Sequence, residues 1–311
     1  MGMSVPERWR FAALRGSTHA VEWRACDLCG ADEPVPLRFE NQCTVCRCRR
    51  CGLIYVNPRP ILSSEALDAF RYKGRESEEM EFQQRKMQPV WDIALPRMQA
   101  LLGGRGRLLD VGCGFGAFLT RAKSEGWAPE GLDASETAAR HARETSGCQV
   151  QAGRIEEWKG TPATFDAVTM WCLLEHVESP RAVLAVAAKL LRPGGLVVVR
   201  VPNTAFYRCV TPVLSVLGKQ TSLLWGAPDH VFGFTPKTIR RYLGGAGFAG
   251  VLVETSPLSA EAGGYTSAYF GGTVARPANW LLSRCGSLLH RSSGGRLVLS
   301  PSLVAFALKA A

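Results

Sequence analysis

Apolar residues in this chain come in short runs separated by amphipathic stretches. RLLDV (107–111), FDAVTMW (165–171) and LVVVRV (196–201) are apolar segments bounded by glycine, proline or charge, as expected of strands buried on both faces. PEGLD (129–133), GVLVET (250–255) and SLVAFALKA (302–310) read as further strands. Between them lie helical patterns: GAFLTRAKSEG stopping at Gly126, SETAARHARETSG capped by Ser135 and stopped by Gly147, SPRAVLAVAAKLLRPGG (179–195) and TPKTIRRYLGGAGF (235–248). Strands alternating with helical connectors predict an α/β fold with a mostly parallel sheet covered on both faces, which binds its ligand at the carboxyl ends of the strands.

The alternation is absent upstream. Residues 21–60 are rich in turns and cysteine, LSSEALDAF (62–70) reads as a short helix, and RYKGRESEEMEFQQRK is a charged connector or exposed helix. The expected organisation is therefore a small module at 21–60, a helical connector at 61–104 and the α/β domain at 105–311. No apolar run reaches the ~20 residues of a membrane span and no signal-peptide core is visible, so a cytoplasmic location is expected. In a reducing compartment clustered cysteines favour metal binding over disulfides.

CDLCG (26–30) and CRRCG (48–52) set Cys26, Cys29, Cys48 and Cys51 in a C-x2-C-x18-C-x2-C pattern, the spacing of a four-cysteine zinc site. A glycine after each second cysteine allows the tight turn that aims backbone amides at thiolates. Four thiolates complete a tetrahedral shell and leave no open position, so the zinc is expected to be structural, supplying ~10–16 kcal/mol to a module too small to fold on its own core. Cys43 and Cys46 lack the glycine and are read as bystanders. Cys113, Cys148, Cys172, Cys209 and Cys285 are isolated and read as small buried hydrophobes.

In LLDVGCGFGAFL (108–119), Gly112, Gly114 and Gly116 fall between a strand and a helix, where a ligand can approach a backbone with no Cβ in the way. The glycines also satisfy a dinucleotide fingerprint. Asp110 discriminates: a carboxylate about 5 Å from a pyrophosphate costs ~3 kcal/mol per charge pair at an effective dielectric of 20, whereas a cationic ligand is attracted. S-adenosylmethionine carries a sulfonium, an ammonium and no phosphate. Asp133, closing the second strand, suits ribose hydroxyls in either ligand class.

Taken with GLDAS, GRIEEW, FDAVTMWCLLEHVESPRAVLAVAAKLLRPGGLVVVRVPN and FTPKTIRRYLGGAGF, residues 105–255 resemble a class I S-adenosylmethionine-dependent methyltransferase of the ubiquinone-methyltransferase-like group. The resemblance implies a Rossmann-like, doubly wound seven-stranded sheet, and the upstream cysteines then resemble the zinc ribbon that precedes such domains. It also implies that Asp110, Gly112 and Gly114 contact the methionine part of the donor, Asp133 and Ala134 the ribose and adenine, Ile155 and Glu156 the adenine edge, and that Trp171 lines the pocket. His176, after the fourth strand, and His230, before FGFT, are candidate general bases; a satisfied hydrogen-bonding role is an equal alternative for His176 and the leading one for His230. In the ubiquinone-type enzymes acids around this motif resemble a divalent-metal site, and here the first of them is Cys172, which argues against catalytic Mg²⁺.

The apolar segments within 205–232 and 256–300 read as insertions over the acceptor, suggesting one that is anionic or partly apolar. Residues 201–311 carry ten Lys or Arg against three acids, within a chain of net charge +10, which suits an anionic substrate, nucleic acid or a membrane surface, or is a solvated face. WLLSRCGSLLHR (280–291) reads as a helix packed on the domain or lying on a membrane surface. Small-molecule methylation leads; an RNA methyltransferase and a non-catalytic scaffold are the alternatives. The four-cysteine pattern, where RNA enzymes resemble three cysteines and a histidine, and the absence of an Asn/Asp-Pro-Pro-aromatic motif weigh against RNA.

Overall fold

The computed structural model describes residues 21–41, 43–61, 76–216, 222–224, 229–256, 286, 288–289, 292–293 and 297–310, with the side chains of 76–85, 213 and 214 excepted. The expected helix at 62–70 and most of the stretch 280–291 lie outside these residues, as does residue 42.

Seven strands build the main sheet: β6 (Arg107–Val111), β7 (Ala128–Asp133), β8 (Gln149–Ala152), β9 (Phe165–Trp171), β10 (Leu191–Pro202), β12 (Phe248–Thr255) and β13 (Ser302–Lys309). Their order is β12-β13-β10-β9-β6-β7-β8, with β13 antiparallel to both neighbours and the other neighbouring pairs parallel. This is the doubly wound, mostly parallel sheet that the alternation predicts. The chain winds outward from β6 in both directions, so the crevice between β6 and β9 is the switch point where ligands bind.

The helices follow from their caps and apolar stripes. They are α1 (Glu76–Leu102), α2 (Ala117–Ser124), α3 (Glu136–Ser146), α4 (Pro180–Leu190), α5 (Thr204–Val216) and α6 (Pro236–Gly245). Ser135 Oγ accepts from Ala138 N, Ser179 Oγ from Ala182 N, and Thr235 with Thr238 forms a capping box. On one sheet face α4 and α6 bury Val183, Leu184, Ala187, Ile239 and Leu243 against Val197 and Val199. On the other, Val90, Trp91, Leu95 and Met98 of α1 and Phe118 of α2 cover Leu108, Ala167, Val198 and Phe306. Helix α1 thus runs on past the charged stretch that ends at Lys86, and from Met87 onward its buried side chains form a layer of the core.

The upstream strands are β1 (Val21–Glu22), β2 (Pro34–Glu40), β3 (Cys43–Cys48), β4 (Ile54–Val56) and β5 (Arg59–Pro60). β2, β3 and β4 form an antiparallel sheet whose fourth strand, β11 (Phe232–Gly233), comes from the far end of the chain. Phe232 pairs with Tyr55 and Gly233 with Ile54. Cys26, Cys48, Cys51, Leu53 and Tyr55 are buried in the same apolar cluster as Leu109, Val111 and Val199. Among the described residues no helix is long and apolar enough to cross a membrane.

Candidate active site

At the carboxyl end of β6 the backbone turns through Gly112, Gly114 and Gly116, at φ +74°, +52° and +85°. Glycine is required twice over: a Cβ on Gly112 would stand 2.8 Å from Leu173 Cδ1, and one on Gly116 3.0 Å from Ala142 Cα. Gly112 N and Cys113 N both donate to Leu132 O, at 2.7 and 3.1 Å, which fixes the loop to β7. Asp133 ends β7, with Oδ2 accepting from Gly114 N at 2.8 Å and Oδ1 from Ser135 N at 3.0 Å. Gly153 N donates to Asp133 O at 2.8 Å and brings in the short turn Ile155–Glu157, with Ile155 buried and Glu156 exposed. Ala134 is exposed beside Asp133. The seven donor-side candidates from Asp110 to Glu156 therefore converge on one end of β6, β7 and β8.

Asp110 lies beneath the loop, 1% exposed, with Oδ1 accepting from Thr169 Oγ1 at 2.7 Å. Burial pushes its carboxyl up to about 8; the Asp133 charge adds to the rise and the Thr169 hydrogen bond opposes it. A cation placed over the loop would restore the ionised form. Trp171, half-buried at the end of β9, sets its ring edgewise on Phe118 at 5.0 Å.

Beyond β9 a second group assembles. Glu175 is fully buried, its two carboxylate oxygens find no hydrogen-bond partner among the described residues, and burial raises its pKa. His176 Nδ1 meets both the carboxylate Oδ2 and the backbone oxygen of Asp229, each at 3.1 Å. The His230 ring lies edge-on to that of His176, centroids 4.6 Å apart. Val231 N donates to Glu175 O at 2.8 Å, which draws the strand after His230 onto this group. The two histidines, distant in sequence, thus form one cluster, and with Glu175 their ligand atoms lie within 4.8 Å of one another. Sequence reasoning missed Asp229 and Thr169 as partners. The signals were an acid next to a candidate histidine and one hydroxyl inside an otherwise apolar strand.

The four cysteines of the paired motifs also converge. Cys26 and Cys51 Sγ are 3.4 Å apart, Cys29 and Cys48 Sγ 3.6 Å, and all four lie within 4.8 Å of one another. Four thiolates at 2.3 Å around a tetrahedral ion would be separated by about 3.8 Å, so the set fits. Gly30 and Gly52 close the two turns at φ +71° and +82°, and Leu53 N points at Cys51 Sγ. Cys46 turns instead to Asn57 O at 3.3 Å, and Cys43 packs in a separate apolar cluster with Val45 and Val56.

A family profile described as "Methyltransferase domain" matches residues 83–253, more than half of the chain. The ubiquinone biosynthesis O-methyltransferase of Azoarcus sp. is 33% identical over 147 residues, 45% of this chain and 63% of the relative. That of Vibrio cholerae is 39% identical over 110 residues, 33% of this chain and 44% of the relative. The chain thus spans less than two thirds of the relatives it matches. Phosphoethanolamine N-methyltransferase 2 of Haemonchus contortus superposes with a TM-score of 0.52 at 16% identity, over 83% of this chain and 62% of that one, a likeness of fold.

Proposed function

The chain belongs to the methyltransferase-domain family, and from that premise we propose that it moves a methyl group from S-adenosylmethionine to a hydroxyl of a small-molecule acceptor. The Asp133 carboxylate carries this reading: it is fixed at the switch-point crevice by Gly114 N and Ser135 N. Each oxygen keeps lone-pair capacity for a ribose hydroxyl. Gly112, Gly114 and Asp110 then face the methionine part, Ala134, Ile155 and Glu156 the adenine side, and Trp171 closes the wall. When bound, the donor supplies an electrophilic methyl group on a sulfonium.

The chain's own work is alignment and proton removal. Holding donor and acceptor in line is worth up to ~7–11 kcal/mol of the barrier. With Nδ1 held by Asp229, the His176 tautomer that bares Nε2 is favoured, and Nε2 takes the acceptor proton as the C–O bond forms and the S–CH3 bond breaks, with S-adenosylhomocysteine as the leaving group. His230 packs against that ring and sets its tilt. Oxygen as the acceptor atom is supported by the O-methyltransferase relatives. Cys26, Cys29, Cys48 and Cys51 hold a structural zinc, which their mutual spacing fits and which has no part in the reaction.

Incubation of a metabolite extract with the protein and isotope-labelled donor, followed by mass spectrometry, should reveal one labelled small molecule. Asp133→Ala should weaken S-adenosylhomocysteine binding by about 10- to 100-fold, the loss expected for hydrogen bonds to a charged group. Unchanged affinity removes the donor-site assignment. His176→Gln should lower kcat by ~10²–10⁴ with donor affinity intact; a variant as active as the parent leaves His176 without a catalytic role.

A further inference from the structure

Arg200, on β10 two residues before the carboxyl end of the strand at Pro202, is 7% exposed, yet among the described residues no carboxylate lies within ion-pair distance of it. Its guanidinium is tied to neutral groups: Nε donates to Ser256 Oγ at 3.1 Å, Nη2 to Ser302 Oγ at 3.2 Å and Nη1 to Cys172 Sγ at 2.6 Å. Two of the five N–H donors of a guanidinium are left over. The thiol is not a ready counter-ion, because burial keeps the Cys172 pKa above the ordinary thiol value, although the charges of Arg200 and Lys86 oppose that rise. Glu175 also feels Arg200, without forming an ion pair with it.

A buried charge without a partner costs several kcal/mol, and such charges are normally paired or held for a ligand. The place is informative. Arg200 is paired in register with Trp171, at the end of the strand whose continuation carries Cys172, Glu175 and His176. Trp171, Cys172 and Leu173 are all half-buried, so this end of β9 is not sealed. The three anchoring contacts reach the guanidinium from the residue after β9, the residue after β12 and the first residue of β13, which is pre-organisation rather than chance packing.

We propose that Arg200 is the anion anchor of the acceptor site, and that the acceptor carries a carboxylate or phosphate whose charge this guanidinium neutralises while His176 addresses a hydroxyl of the same molecule. The assignment rests on the methyl-transfer reading above and narrows its substrate class. A fixed guanidinium suits a planar, two-oxygen anion better than a point charge does.

The test is a titration of the full-length protein with benzoate, phenyl phosphate and the uncharged control benzamide, each with and without S-adenosylhomocysteine. The wild type should bind at least one anion, benzamide should bind at least tenfold more weakly, and Arg200→Gln should lose the anion preference while keeping its affinity for S-adenosylhomocysteine within twofold. Arg200→Lys, which keeps the charge and loses the fork, should retain a weakened preference and guards against a glutamine variant that does not fold. Anion binding that is absent from the wild type, or equal in wild type and Arg200→Gln, overturns the assignment. Failure of S-adenosylhomocysteine to bind the wild type would instead count against the donor site, and the titrations without it still judge Arg200. In the extract experiment, a labelled product carrying neither carboxylate nor phosphate would also overturn it.

Discussion

Asp110 and Asp133 are both carboxylates at strand ends, and their surroundings separate them. Asp133 accepts two backbone N–H bonds, whereas Asp110 is buried with the Thr169 hydroxyl as its hydrogen-bond donor, and burial pushes its carboxyl up to about 8. The folded protein therefore holds a proton that an unfolded chain releases near pH 4. Stability from this group is full below that pH and is lost as pH rises through the window from about 4 to about 8. A cationic donor over the loop reverses the balance by drawing Asp110 to its charged form. Donor binding near pH 7 should therefore release protons, and affinity should rise with pH up to about 8. Calorimetry in two buffers of different ionisation heat measures the release directly, and Asp110→Asn should abolish it. Identical heats in both buffers for the wild type would show that Asp110 does not change its protonation state when the donor binds.

At the scale of elements, what was legible in the chain was what local chemistry dictates. β6 and β9 fall where their apolar runs fall, and the Ser135 and Thr235 caps start the helices that follow them. β10 runs from Leu191 to Pro202, longer than the β-branched run at 196–201, because Leu191 already pairs with Phe165. Tertiary pairing adds residues that no propensity marks. α5 occupies Thr204–Val216 despite Pro212, where the sequence suggests only an apolar insertion. The candidate site divides the same way. The glycines and Asp133 carry their signal in adjacent positions, whereas Arg200 is one charge in a valine run and acquires meaning only when β12 and β13 bring Ser256 and Ser302 to it. Asp229 likewise reaches His176 across a separation of 53 residues that no spacing rule covers.

The whole molecule ties the cysteine module by hydrogen bonds to the base side of the crevice, while beneath the donor side the module meets Leu109 and Val111 through apolar packing. Val56 N donates to Val231 O at 2.9 Å, continuing the β4–β11 pairing to the residue after His230. Glu40 accepts from Ser222 Oγ, Leu223 N and Leu224 N, so β2 holds a piece of the segment between α5 and β11. Asp27, between the first two cysteines, accepts from Ser179 Oγ and Arg181 N at the start of α4, and Arg241 of α6 reaches Cys51 O. Asp133 and the glycine loop, for their part, hydrogen-bond to one another, to Ser135 N and to Leu132 O of β7. Loss of the proposed zinc from Cys26, Cys29, Cys48 and Cys51 should therefore loosen β4 and, through it, the strand that sets Asp229 against His176. The expected outcome for metal-stripped full-length protein, or for Cys48→Ser, is a loss of kcat of at least tenfold with S-adenosylhomocysteine affinity preserved within about twofold. Metal content by mass spectrometry, calorimetric titration of S-adenosylhomocysteine and turnover of the extract-derived acceptor, measured on the same sample, check the split. A parallel fall in affinity and turnover would mean that the module and both halves of the crevice unfold as one cooperative unit, so that the four cysteines support the donor loop as much as the base.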